Sequence, residues 1–233
     1  MHPTDKAARV AGLWYLSMAL TGPFTLIYIP STLIVRGNAA ATASKILEHQ
    51  TMFRLGIAAE LVGAVLFIGT AVALYRLFSG VSQTRTMQMV TFAAVSAGIA
   101  FFNALNNVAA LTLFRGGEFL TPLGTLQREG LGMLFIRLHG QGNVINEIFW
   151  GLWLLPMGLL VIRSGFLPRF IGVWLIVNCA AYLALSFIGL FAPQYSGIAF
   201  TSAQPALFGE LAIVLWLLIK GAKVPALPAV ANA

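Results

Sequence analysis

Apolar residues run along this chain in six long stretches, at about residues 8 to 29, 54 to 77, 87 to 114, 133 to 162, 170 to 191 and 205 to 220. Each approaches or exceeds the ~20 residues that carry a helix across ~30 Å of hydrocarbon. A membrane barrel strand alternates apolar and polar positions, whereas these runs are continuously apolar, so the pattern predicts helices. The third and fourth stretches are long enough to tilt or protrude, and the sixth is short unless Thr201 to Gln204 join it. The expected fold is all-α: a polytopic bundle of six transmembrane helices forming one integral membrane domain over residues 1–233, with no separate soluble domain.

Proline and glycine predict where the helices bend. Gly22 with Pro23 should kink the first and Pro156 the fourth, because each proline removes a backbone donor and crowds the preceding turn. Gly-Phe-Leu-Pro at 165–168 reads as a tight turn between the fourth and fifth. Two larger polar segments, about 30 to 53 and 115 to 132, are long enough for short interfacial helices, and Asn38 through Leu47 has helical character. Trp14, Trp150, Trp153, Trp174 and Trp216 are mostly deep enough to be packing residues.

Composition agrees with a lipid solvent. With 59% hydrophobic and 9% charged residues and a mean hydropathy of +0.87, the chain has too little polar surface to coat a soluble globule. Its net charge of +7 does not imply nucleic acid as a partner, because the basic residues stand singly at the ends of the apolar runs, where lipid headgroups are their neighbours. One side of the bundle collects Lys6, Arg9, Arg76, Arg85, Arg163, Arg169, Lys220 and Lys223; the other collects Arg36, Lys45, Arg54, Arg115, Arg128 and Arg137. The excess, concentrated in two short connections, predicts that both termini are cytoplasmic. The amino end resembles a signal peptide, but its apolar run is longer than a typical one and reads as an uncleaved first span. The single cysteine, Cys179, excludes an intramolecular disulfide and reads as a small packing residue.

Against this background the polar residues inside the runs stand out. Glu60 lies about two turns into span two, Glu210 little more than one turn into span six, and His139 about two turns into span four. Glu147 is about 12 Å deeper than His139 at ~1.5 Å per residue. Asn103, Asn106 and Asn107 precede the outer end of span three. His139, Asn143 and Asn146 follow i, i+4, i+7 spacing and share a helix face, with Glu147 at its margin. A charge in hydrocarbon costs at least ~2.5 kcal/mol on insertion scales, so these groups should face the bundle interior, where each carboxylate is neutral, paired or hydrated. The candidate ligand- or proton-binding residues are therefore Glu60, His139, Glu210, Asn106, Asn143 and Glu147, gathered in one polar cavity opening outward.

Each has a structural alternative. Intramembrane asparagines act as interhelical glue, His139 can bond a carbonyl near the interface, and a protonated glutamate can do the same. Arg54 and Arg137 can snorkel, or pair with Glu60 or Glu210. HExxH, CxxC, GxSxG and Walker A sequences do not occur, so the corresponding protease, thiol-redox, hydrolase and ATPase chemistries lack their signatures. His2 and His49 lie outside the spans, which leaves one axial candidate and argues against bis-histidine haem. A metal site built from Glu60, His139 and Glu210 would suit Zn, Mn or Fe, although the spacing alone identifies no metal and no cofactor.

The string LHGQGNVINEIFWGLWLLPMGLLVIRSGFLPRFIGVWLI around His139, with ARVAGLWYL, IYIPSTLIVRGNAAATASKIL, FRLGIAAELVG and LFGELAIVLWLLIKG elsewhere, resembles the bacterial membrane family of domain of unknown function 4386, DUF4386. The resemblance covers about residues 8 to 221. It implies a multi-span protein of the bacterial cytoplasmic (inner) membrane and supplies no reaction. The family pattern is similar at His139, Gly142, Glu60 and Gly209 with Glu210, and weaker at Asn143, Asn146 and Glu147.

Three functions fit these observations. A binding or transport module would receive a small polar or cationic ligand between protonatable glutamates. An accessory or scaffold subunit would use the polar groups only to specify packing. An intramembrane enzyme would turn a carboxylate and His139 on a lipid-linked substrate. Membrane lipids are the one partner class implied; a homo-oligomer or another membrane partner is left open.

Overall fold

The structure is a computed structural model and describes residues 3–222; His2 and Lys223 lie outside the described residues. It is helical, with no strand among the described residues. Six helical stretches are long and apolar enough to cross a bilayer: Thr4–Leu33, Gln50–Phe78, Gln83–Arg115, Thr125–Ser164, Arg169–Phe191 and Pro193–Ile219. The protein is a multi-span membrane bundle. Large apolar side chains such as Leu20, Val62, Phe102, Val173 and Phe187 are exposed on its flanks, as lipid-facing positions require.

The spans outrun the apolar stretches because helical hydrogen bonding continues through polar ends. The first consists of α1 (Pro3–Gly22), a π-helical stretch (Pro23–Tyr28) and α2 (Ile29–Leu33). Pro23 has no N–H for the carbonyl one turn back, and the backbone widens there; Ile29 N–H then reaches the Phe24 carbonyl five residues behind. Helix α3 (Ala39–Glu48) is capped by Asn38, whose Oδ1 accepts from the Ala41 N–H at 2.9 Å. It is the short helix expected between spans one and two, and it packs on the helices of spans two, three and four. Residues 115 to 132, in contrast, hold one 3-10 turn (Glu118–Leu120) before span four begins at Thr125.

Spans two and three are the unbroken helices α4 (Gln50–Phe78) and α5 (Gln83–Arg115). Span four divides into α6 (Thr125–Leu152) and α7 (Leu154–Ser164), since Pro156 cannot donate to the Leu152 carbonyl. Gly165, at φ +69°, ends α7 in the left-handed region and starts the turn into α8 (Arg169–Phe191). Span six, α9 (Ser196–Ile219), begins well before the expected residue 205 and carries Pro205 in its interior. Proline invites reading a helix start, yet inside a membrane bundle it is tolerated within a helix; the Trp174 indole of α8 donates to the Pro205 carbonyl at 2.9 Å and ties the two helices together there.

Close glycine contacts set the packing. A Cβ on Gly158 would stand 2.6 Å from the Gly172 carbonyl oxygen, and one on Gly172 2.5 Å from that of Gly158, so α7 and α8 meet backbone to backbone. Arg9 Nη1 donates to the Leu218 carbonyl at 2.8 Å, which puts the start of α1 and the end of α9 on one face of the bundle. Two apolar clusters form the core. One contains Phe78, Met89, Trp153, Met157 and Leu175; the other contains Leu33, Ile46, Phe53, Phe114 and Ile136. Along α4 the gap between them holds Glu60, along α5 Ser96 and Asn103, and along α6 His139 to Asn146. The polar residues fill the band that neither cluster covers.

Candidate functional site

Between the clusters lies a cavity of about 340 Å³ to which all six spans contribute. Glu60, His139, Asn143 and Glu210 line it, so four of the six residues expected to share a site border one space, and Asn146 lines it beside them. The other two, Asn106 and Glu147, are not on the wall; Asn106 stands behind it, bonded to Asn103.

Two carboxylates organise the polar surface. His139 Nε2 on α6 is 2.9 and 3.0 Å from the two carboxylate oxygens of Glu60 on α4, both side chains mostly buried. The backbone around His139 is fixed as well. The Asn103 amide nitrogen on α5 donates to the His139 carbonyl at 2.9 Å and to the Asn143 side-chain oxygen at 3.0 Å, while Asn106 donates to the Asn103 oxygen at 3.0 Å. Gly142 makes this possible, because a Cβ there would collide with the Asn103 amide. Asn106 is thus a buttress for the asparagine that seats His139.

Glu210 on α9 has a separate set of partners. It accepts from the Tyr15 hydroxyl at 2.5 Å and from the Asn178 amide at 3.4 Å, and Tyr182 lies beside it. Tyr15, Ser96, Asn178 and Tyr182 were not among the expected site residues. Each is a polar group inside an apolar run, the same signal that marks Glu60, but hydroxyls and single amides are common enough there to pass as glue. Gly209 lets α9 approach: a Cβ on it would stand 3.1 Å from Trp174 Cδ1.

Two expectations need correction. Glu147 faces the seam between α6 and α8, not the cavity. Val144 and Gly151, three residues before and four after it, pack on Gly189 and on Cys179 with Tyr182. One residue beyond Asn146 on a helix is about 100° around the axis, enough to change neighbours. The three-residue metal set also fails. Among the described residues no three His, Cys, Asp or Glu side chains gather to hold a metal ion, because Glu210 is engaged by Tyr15 and Asn178 apart from the Glu60–His139 pair. Nor do Arg54 and Arg137 pair with the glutamates; the ion pairs among the described residues are Arg9 with Asp5 and His139 with Glu60.

The remaining wall is largely aromatic. Trp153 is buried and packs edge-on to Phe67 at 4.8 Å between ring centres and tilted against Tyr15 at 5.4 Å, and Trp150 stands against Tyr182. Asn146 donates to the Ser96 carbonyl at 3.2 Å, while the Asn146 side-chain oxygen and the Ser96 hydroxyl have no partner, though the two residues are 2% and 1% exposed. Buried polar atoms of this kind are acceptors and donors available to a ligand in the cavity. No Lys or Arg lines it.

The family described as "Domain of unknown function (DUF4386)" matches residues 10–221. The chain is also similar to an "Uncharacterized protein" of the archaeon Archaeoglobus fulgidus, 30% identical over 159 residues, which are 68% of this chain and 79% of the relative. The resemblance is therefore not confined to bacteria. No solved structure matches.

Proposed function

Because the chain belongs to the DUF4386 family, whose description carries no reaction, we propose its function from the cavity: it is a membrane binding module for a small organic cation, coupled to transport. The supporting observation is the wall itself, in which Glu60 and Glu210 are joined by Tyr15, Phe67, Trp150 and Trp153 with no Lys or Arg. A carboxylate in a low-dielectric bundle is costly unless a positive charge accompanies it, and a bound ammonium supplies that charge. Aromatic faces attract the same ligand; a quaternary ammonium over a tryptophan or tyrosine ring gains roughly 0.5–2 kcal/mol. Asn143, Asn146 and Ser96 accept or donate hydrogen bonds to its polar substituents. In the cell the bundle sits in the cytoplasmic membrane with both termini inside.

Intramembrane catalysis has one observation in its favour. An imidazole held by a carboxylate is the pairing used in general-base chemistry, so His139 with Glu60 would serve a reaction on a lipid-linked substrate.

The test uses purified protein in nanodiscs and the fluorescence of Trp150 and Trp153. Choline should change it saturably, while the uncharged isostere 3,3-dimethylbutanol should not. Glu60→Gln and Glu210→Gln should each weaken the choline response at least about tenfold. Equal responses to choline and its neutral isostere would refute the cation site; turnover of a lipid substrate without choline binding would favour the enzyme.

A further inference from the structure

The cavity wall is buried or half-buried at every lining position except three: Ala19, Leu26 and Leu211, of which Leu26 is 44% and Leu211 45% exposed. All three belong to spans one and six. The two spans touch where the chain ends meet, through Arg9 on the Leu218 carbonyl and through Gly12, whose Cβ would stand 3.0 Å from Leu218 Cγ. Their last polar bond is Tyr15 to Glu210. Beyond Tyr15 span one leans onto α4 instead: Thr21 packs on Gly63, and Ile29 packs on Gly56. The cavity thus has its exposed rim in the angle between α1 with its π-helical stretch and α9.

That rim is at the depth of acyl chains. Ala19 stands fifteen residues from Thr4 and fourteen from Leu33, near the middle of its span. Leu211 is eight residues from Ile219, about 12 Å at the helical rise. The lip is wholly apolar, while one residue away Glu210 turns inward, and one turn before Ala19 the Tyr15 hydroxyl does the same.

We propose that the ligand is a cationic amphiphile that enters sideways from the bilayer between spans one and six. Its ammonium head reaches Glu210 and Glu60, and its alkyl chain leaves through the gap bounded by Ala19, Leu26 and Leu211. This rests on the cation reading above and deepens it. A fully water-soluble cation would meet a lip with no polar group, whereas a ligand with a charged head and a hydrocarbon chain matches both parts of the site. The chain stays in hydrocarbon throughout, first in the bilayer and then at the apolar lip, so no methylene has to be exposed to water for the head to reach the carboxylates.

Two photoreactive dodecyltrimethylammonium probes test this on the wild-type protein in nanodiscs, one with a diazirine at the terminal carbon and one with it beside the nitrogen. Cross-linked peptides are then mapped by mass spectrometry. The tail probe should tag residues 19–28 and 205–211, the head probe should tag the cavity wall around Tyr15, Phe67 and Trp153, and excess choline should abolish both. Tail labelling on other faces, inside the cavity alone, or undiminished by choline overturns the lateral entry. If choline still changes the tryptophan fluorescence in that case, the cation site survives; if it does not, both readings fall.

Discussion

A single ring nitrogen, His139 Nε2, lies within 3.0 Å of both carboxylate oxygens of Glu60, tying α4 to α6 across the cavity. The contact joins two mostly buried side chains on different helices of a membrane bundle. Its consequences for stability and for binding separate cleanly by substitution.

Glu60→Leu leaves the imidazole buried without its partner and should lower stability by about 1–3 kcal/mol for a neutral pair, or about 3–5 kcal/mol for an ionic one. Glu60→Gln keeps a hydrogen-bonding oxygen beside His139 and should unfold close to wild type while losing choline affinity. Thermal unfolding in detergent, set beside the fluorescence titration, measures both.

Gly142→Ala should be destabilising by about 1–3 kcal/mol, since the new methyl drives the Asn103 amide off the His139 carbonyl. Asn103→Ala makes room for that methyl. The double variant should therefore unfold less readily than the two single losses added together, a coupling that a double-mutant cycle reads directly.

Tyr15→Phe removes the 2.5 Å bond to Glu210 and nothing else, because the ring keeps its packing against Trp153. The expected cost is about 1–3 kcal/mol of stability for the under-satisfied carboxylate. A wild-type melting curve would show that Glu210 finds other partners.

Gly158→Leu should disrupt the bundle most severely of the single changes considered. The side chain would enter the space occupied by the Gly172 carbonyl and by Ile176, parting α7 from α8. Loss of the monodisperse peak in size-exclusion chromatography is the expected readout, with Gly80→Leu, where a Cβ meets nothing, as the tolerated control.

Membrane sidedness can be read with single cysteines, because Cys179 is buried. Thr121→Cys should react with an impermeant maleimide on intact cells, and Ser82→Cys only after lysis. The reverse pattern would invert the bundle.

The sequence made the architecture plain because crossing a bilayer demands about 20 apolar residues whatever the function. The interruptions of regular α-helix at Pro23 and just before Pro156, and the turn after Gly165, were equally legible, as each depends on local backbone chemistry. Span six was not, since Pro205 resembles a helix start but lies inside α9. At the site, Glu60 and His139 could be singled out as costly groups, but their pairing depends on the rotation of α4 against α6, which no single helix encodes. Glu147 shows the same limit from the other side. A turn of about 100° from Asn146 gave it different neighbours. Tyr15 escaped notice because a hydroxyl becomes informative only once the carboxylate opposite it, 195 positions along the chain, is known.

The π-helical stretch between Gly22 and Ile29 has a bearing on how this fold tolerates change in length. Five-residue hydrogen-bonded loops hold more chain per unit of rise than an α-helix, so deleting a residue there would tighten the coil while α1 and α2 kept their present partners. The same deletion in α4 would swing Glu60 or Phe53 about 100° away from its neighbours and dismantle the bundle. Span one therefore carries a built-in slack, placed beside the lip, where gain or loss of a residue alters the aperture and spares the scaffold.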